Sequence, residues 1–315
     1  MSNDTISRWS NPAVILVPTD CFESNPLLHH AIFQARLSNA KVLLVHTIDT
    51  SAPETGIMGT APLQFPANRA VKSKLDEMAA KFLREGIFCE AIVLNGPPEL
   101  AIPILVKARS VDRVIVSSRN SPGVARLMEC PAMEKLIDVL DVPVCIVGQR
   151  AQNKSTNDTH IGRILFAASL HSTSSRLAGF ASALAEANHA HLTLLHVLSS
   201  TSMSEQQHEL TRLAAWQRLG SLVTNKEKHR FQPLLLIRDG DPATAIVEGA
   251  DSLLEDLIIL GNPKSSRAPG LRSNNIVHRV IAESQCPVLT VNSDSPALVQ
   301  ETHELTAAAL AFTHS

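Results

Sequence analysis

Short apolar runs alternate with longer amphipathic stretches along the whole chain. Val14–Pro18, Val42–Thr47, Ala91–Leu94, Val114–Ser117 and Pro143–Val147 are β-rich and continuous rather than alternating. That is how strands covered on both faces read. Between them, Val71, Leu75, Met78 and Phe82 fall at helical spacing, with Gly86 as a stop signal, and Met133, Leu136, Ile137 and Leu140 form a second stripe. Further on, Leu177, Ala178, Ala181, Leu184 and Ala185 make one helical stripe and Ile276, Val277, Val280 and Ile281 another. Strand–helix–strand alternation predicts parallel sheet with helices on both faces.

The same plan occurs twice. "AVILVPTD" (13–20) reads against "GRILFAAS" (162–169), and "AKVLLVHTID" (40–49) against "AHLTLLHVLS" (190–199). "VLNGPPELAI" (93–102) matches "IRDGDPATAI" (237–246), "VDRVIVSS" (111–118) matches "EDLIILGN" (255–262), and "DVPVCIVGQ" (141–149) matches "QCPVLTVNS" (285–293). The offset stays between about 144 and 150 residues, which marks a duplicated domain rather than a short solenoid repeat. The expected boundaries are a first domain over 1–149, a linker over 150–160, a second domain over 161–293 and a tail over 294–315. "GQRAQNKSTNDTH" (148–160) is polar and aperiodic, as a linker is. "TSAPETGIMGTAPLQFPA" (50–67) reads as a long mobile insert, and Leu298, Leu305 and Phe312 give the tail a weak helical stripe.

Bulk composition narrows the class. The chain has 315 residues, 44% hydrophobic and 18% charged, enough apolar material for two cores. A formal net charge of −2 gives no electrostatic footprint for nucleic acid or an anionic membrane. The polar "MSNDTISRWSNP" before the first apolar run lacks the order of a signal peptide. Five scattered cysteines, Cys21, Cys89, Cys130, Cys145 and Cys286, include no CxxC and fit a reduced, cytoplasmic setting.

One loop carries candidate chemistry. "GNPKSSRAPGLRSNN" (261–275) has a glycine straight after an apolar run, then polar and basic residues, then a helix start, the layout of a phosphate-binding loop. Together with "ILVPTD", "LLVHTID", "GPPE", "GDPA", "PVCIV" and "PVLTV", it makes the chain resemble the universal stress protein family in tandem form, over nearly its whole length. The resemblance implies two doubly wound five-stranded α/β sheets of the adenine-nucleotide alpha-hydrolase-like kind. They would pair through their last strands, here within one chain.

In the ATP-binding branch of that family, an Asp after the first strand contacts the nucleoside, and a G-x-x-G-x9-G-S/T loop holds the phosphates. Asp20 matches that Asp, preceded by Pro18 and Thr19, but Ser117, Asn120 and Cys130–Pro131 replace the glycines and Gly-Ser of the first loop. In the second copy Gly261 keeps the first glycine, Lys264 replaces the second, and Asn274 and Asn275 replace Gly-Ser. Ser169 stands there in place of the Asp, after Ala167 and Ala168. Each copy thus keeps one end of a nucleotide site. Lys264, Arg267 and Arg272 could grip an anion by charge where backbone amides no longer do.

Competing readings concern single residues. Asp20 serves equally as a turn or capping acid. His46 and His196 read as structural or pocket-lining. His189, His191 and His196 have a metal-like spacing, but residues 191 and 196 point to opposite faces of a strand, so no metal site is expected. Cys130 reads as a small loop residue, with a redox sensor as the alternative. There is no Walker A, nucleophile elbow or HExxH motif, and no catalytic residue is assigned. The expected function is a binding or regulatory module in a stress response rather than a conventional enzyme. One alternative is an ATP binder with slow hydrolysis at the second-copy loop, and another is a redox-responsive regulator through Cys130. The residues compel no cofactor; the resemblance implies ATP or AMP. Expected partners are the sister domain, a second copy as homodimer, and a protein partner, with neither nucleic acid nor membrane.

Overall fold

The computed structural model describes residues 2–19, 25–48, 64–118, 131–153, 160–171, 173–199, 204–224, 232–262, 276–292 and 295. The chain divides into two compact units, Pro12–Leu140 and Met1–Asn11 with Asp141–Ser315. Among the described residues no helix is long and apolar enough to cross a membrane.

The first unit contains β1 (Val14–Pro18), α2 (Asn25–Ser38), β2 (Lys41–Ile48), α3 (Gln64–Arg84), β3 (Cys89–Asn95), α4 (Pro98–Ala108), β4 (Arg113–Ser117) and α5 (Pro131–Val139). Its strands run in the order β3-β2-β1-β4, with parallel pairings throughout. Ile15, Leu16, Val17, Val42, Leu43, Leu44, Val114 and Ile115 are fully buried, as continuous apolar strands between two helical layers must be. Leu75, Met78 and Phe82 hold α3 on the sheet, and Gly86, at φ +76, turns the chain back. The helix begins at Gln64, inside the stretch read as insert; residues 50–63 lie outside the described residues.

The second unit holds α1 (Ser2–Ser10), β5 (Val144–Val147), α6 (Gln149–Asn153), β6 (Arg163–Ala167), α7 (Ser174–Asn188), β7 (His191–Leu198), α8 (Glu205–Ser221), β8 (Leu234–Asp239), α9 (Pro242–Ser252), β9 (Leu257–Gly261), α10 (Ile276–Glu283) and β10 (Val288–Val291). The strand order is β5-β10-β9-β6-β7-β8. All its resolved pairings are parallel except β5 with β10, which is antiparallel with Cys145 opposite Leu289. The last strand of the first sequence repeat therefore hydrogen-bonds to the last strand of the second.

Two elements differ from the sequence reading. The polar N-terminus forms α1, which packs on α7 by setting Trp9 edge-on to Phe180, ring centroids 6.2 Å apart. The stretch read as linker begins with α6, held by buried Ala151 and by Arg150, which donates to the Glu283 carbonyl at 3.2 Å. Gln, Arg and Ala are adequate helix formers once one apolar side is covered. Residues 154–159 lie outside the described residues. Of the tail, Ser295 is described: it is buried and its hydroxyl donates to the Asp141 carbonyl at 3.2 Å.

The two copies repeat even their strand-start caps. The Asp112 carboxylate accepts from the amides of Ala13 and Val14 at 2.9 and 3.0 Å. Asp256 does the same for Gly162 and Arg163 at the same two distances. These bonds satisfy the amides that precede each first strand's ladder.

Candidate functional site

In both copies the strand order reverses beside the first strand, between β1 and β4 and between β6 and β9. The crevice outside the carboxyl ends at such a point is where open α/β sheets bind ligands. In the first copy Pro18 ends β1 and is half-buried, and Thr19 behind it is buried. The Thr19 amide donates to the Val45 carbonyl at 2.8 Å, and its carbonyl accepts from His46 Nδ1 at 2.8 Å. The second copy repeats both bonds, with the Ala168 amide on the Leu195 carbonyl and His196 Nδ1 on the Ala168 carbonyl, each at 2.8 Å. A carbonyl only accepts, so Nδ1 carries the hydrogen in both rings and Nε2 is the acceptor of the neutral ring. The two histidines pin the turn that leaves the first strand. Their recurrence 150 residues apart was a legible signal for that shared role.

Past this scaffold the copies differ. Asp20 lies outside the described residues, as do Lys264, Arg267, Arg272, Asn274, Asn275 and Cys130. In the second copy the Ser169 hydroxyl lies 3.2 Å from that of Ser174, the first residue of α7, so the side chain at the Asp position is hydrogen-bonded to its own copy's helix start. Leu170 follows in the left-handed region at φ +60, and its carbonyl accepts from Arg218 of α8 at 2.6 Å. Gly261 ends β9 at an ordinary φ; the glycines at positive φ among the described residues are Gly86, Gly96 and Gly240. A Cβ on Gly261 would stand 2.7 Å from Leu177 Cδ1, so the absence of a side chain lets α7 close on the strand. In the first copy Ser117 occupies that position and is buried.

The glycines of "NGPPE" and "DGDPA" have a firmer backbone reason. Gly96 and Gly240 sit at φ +108 and +120, and their amides donate to Ile48 and Leu198 carbonyls at 2.8 and 3.0 Å. Asp241 then caps α9, accepting from the Thr244 amide at 3.0 Å and hydroxyl at 2.9 Å. Arg279 of α10 donates to the same carboxylate at 2.8 Å and to the Thr244 hydroxyl at 3.2 Å. The Arg279 bond first, and the Thr244 bonds after it, hold the Asp241 carboxyl well below the usual range. The helix that follows the basic loop is thereby tied to the start of α9. Lys135 and Glu99, 3.8 Å apart, make a looser version in the first copy.

The histidine-rich run separates as strand geometry requires. His189 is the left-handed C-cap of α7 at φ 52, His191 opens β7 exposed, and His196 is engaged with Ala168. Among the described residues no group of three His, Cys, Asp or Glu is placed to hold a metal. Cys89, Cys145 and Cys286 are buried in the core and none is in a disulfide among the described residues, and burial pushes the Cys89 thiol up to about 12.

The universal stress protein family model matches residues 13–148 and 160–292. No curated protein matches the chain. Among solved structures, a universal stress protein from Archaeoglobus fulgidus DSM 4304 aligns with TM-score 0.65 at 17% identity, over 89% of this chain and 96% of that one. A putative universal stress protein from Pseudomonas aeruginosa UCBPP-PA14 aligns with TM-score 0.60 at 16% identity, over 95% and 99%. A functionally unknown protein from Pseudomonas aeruginosa PAO1 does so with TM-score 0.61 at 16% identity, over 96% and 99%. At these identities the structures speak for the fold alone. The two family matches together span most of the sequence, and the chain belongs to the universal stress protein family, as a tandem of two such domains.

Proposed function

We propose that this tandem protein is a stress-response binding and regulatory module whose two strand-end sites are degenerate for nucleotide. The supporting observation is the use the second copy makes of its site positions. The Ser169 hydroxyl is taken up by that of Ser174 at the start of α7, and Gly261 makes room for Leu177 at an ordinary φ. Both residues serve local packing and hydrogen bonding, and neither position offers the carboxylate or the left-handed backbone that a nucleotide loop employs.

On this reading the first copy retains the nucleoside end, Pro18, Thr19 and Asp20, with His46 fixing the turn. The second retains the anion end, Lys264, Arg267 and Arg272 with Asn274 and Asn275, beside Gly261. ATP or AMP is the ligand class these remnants would favour, at low affinity. Function then lies in occupancy. A ligand or protein partner at either crevice shifts the neighbouring loops, and the exposed helices report it. The two domains act as a pair within one chain through β5 and β10, in the cytoplasm. Mass spectrometry of the natively purified chain tests this. Protein free of bound nucleotide is expected, and a stoichiometric nucleotide adduct would overturn the degenerate reading.

A further inference from the structure

The two strand-end histidines offer more than a pin for the turn requires. In each copy a backbone bond already holds that turn, the Thr19 amide on the Val45 carbonyl and the Ala168 amide on the Leu195 carbonyl, each at 2.8 Å. The ring adds a second bond at the same residue, Nδ1 to the carbonyl, again at 2.8 Å in both copies. That bond occupies one ring nitrogen and fixes the hydrogen on it, which leaves Nε2 as a lone-pair acceptor. Among the described residues neither His46 nor His196 makes any other hydrogen bond or ion pair.

The two rings have matching surroundings. Each is half-buried, two residues from the end of its strand, His46 on β2 and His196 on β7. Strand register sets Val93 of β3 beside His46 and Ile237 of β8 beside His196, on the same face of the sheet. Each ring therefore stands between an aliphatic side chain and the turn that leaves the first strand, which is one wall of the crevice. Other polar groups there are engaged or exchanged. Ser169 is hydrogen-bonded to Ser174, Arg218 donates to the Leu170 carbonyl, Thr19 gives way to Ala168, and Ser117 to Gly261. At the described ends of the first, second and fourth strands of each copy, the imidazole is the polar side chain that both keep. A pin alone needs one donor, which an asparagine amide supplies at the position of Nδ1. Histidine adds a second nitrogen two bonds farther on, in a tautomer that only accepts.

Given the reading of both crevices as degenerate nucleotide sites, on which this rests, we propose that His46 and His196 are ligand-contacting residues. Each offers Nε2 as an acceptor to a hydroxyl or amino group of a nucleoside at its own crevice. The contact needs no phosphate, so it is independent of what each copy kept of its anion end. One neutral hydrogen bond per copy makes for weak binding, and a nucleoside without phosphate meets the two copies alike.

Adenosine is the probe, titrated to about 10 mM into the full, uniformly 15N-labelled chain. Two-bond 1H–15N spectra read both nitrogens of each ring and hence the tautomer. The chain has 13 histidines, so His46→Asn and His196→Asn serve to assign the two rings. In the free chain both rings are expected to carry the hydrogen on Nδ1. Adenosine should then move both Nε2 resonances progressively and leave both Nδ1 resonances in place. Each Asn variant keeps a donor for the turn carbonyl, so its melting curve is expected to stay unchanged. Adenosine binding at that copy, followed on the backbone amide of Thr19 or Ala168, should weaken by roughly fivefold. Where an Asn variant does not fold, the Nε2 shifts of the unaltered chain decide alone. Nε2 resonances that stay fixed up to about 10 mM adenosine overturn the proposal, whether or not adenosine binds elsewhere. So does a free ring with its hydrogen on Nε2, or a pair of Asn variants that bind adenosine as the parent does. A fixed Nε2 leaves the degenerate nucleotide reading standing, which tight nucleotide binding alone overturns.

Discussion

The two copies share every strand pairing around their first strands, yet they fill the space beside those strands with opposite chemistry. In the first copy Arg113 Nη1 donates to Gln34 Oε1 at 2.9 Å, and Gln34 Nε2 reaches His30 Nε2 at 2.8 Å, all three side chains buried. Strand register and helix ends place Phe180, Leu184 and Leu257 at the same three positions in the second copy, and all are buried. The exchange runs the other way one layer along. Glu255, 3% exposed and hydrogen-bonded to Thr193, stands where the first copy has Val111 against Leu43. Glu255 Oε2 has no hydrogen-bond partner among the described residues. Duplication preserved the backbone plan, while each copy settled its own balance of apolar packing and buried polarity. The aromatic ring at 180 is also what α1 covers with Trp9.

Exchanging the two helix positions should break this most severely. Phe180→His removes a ring packed against Trp9 and buries an imidazole without the Gln and Arg that support His30. A loss of about 4 kcal/mol in urea unfolding is expected, with Trp9 emission shifted red. An unchanged melt would mean that the apolar triad is not what holds α1.

Acid should separate the copies next. Burial first, and the Arg113 charge second, lower the His30 pKa to about 4. The folded value lies below the unfolded 6.5, so the stability this group contributes is present above pH 6.5 and lost as pH falls toward 4. The depression corresponds to about 3 kcal/mol. Hydrogen exchange read by mass spectrometry should show α2 and β4 losing protection over that window before α7 and β9 do. Simultaneous loss in both copies would contradict the assignment.

Glu255 carries the reverse sign and the smallest effect. Burial raises its carboxyl pKa above the ordinary value. Stability from this group is therefore full below the unfolded carboxyl pKa and declines as pH rises through the raised one. Glu255→Val with Thr193→Leu, which copies the first domain, should raise stability at pH 7 by about 2 kcal/mol and by less at pH 4. A gain independent of pH would assign the effect to packing rather than charge.

Much of this fold was legible because its strands are continuous apolar runs and its plan occurs twice at one offset. Three features were hidden for physical reasons. α1 buries one large residue, Trp9, against a ring far along the chain, so its own sequence reads as polar. His30, Gln34 and Arg113 look like surface residues until the fold brings them together. The outward stripe of α8, Leu210, Leu213 and Trp216, competes with the inward Ala215, Leu219 and Gly220, and periodicity alone does not say which side meets the sheet. At the candidate site, the scaffold of Thr19 and His46 followed from strand ends, whereas the packing of Gly261 depends on Leu177, a neighbour only in space.

The central claim is that each copy retains one end of a nucleotide site and neither retains a whole one. Isothermal titration calorimetry of the full chain with ATP and magnesium tests it most directly. Binding weaker than about 1 mM at both copies, with no measurable heat below that, is the predicted result. Micromolar or tighter binding at one or two sites per chain would contradict it.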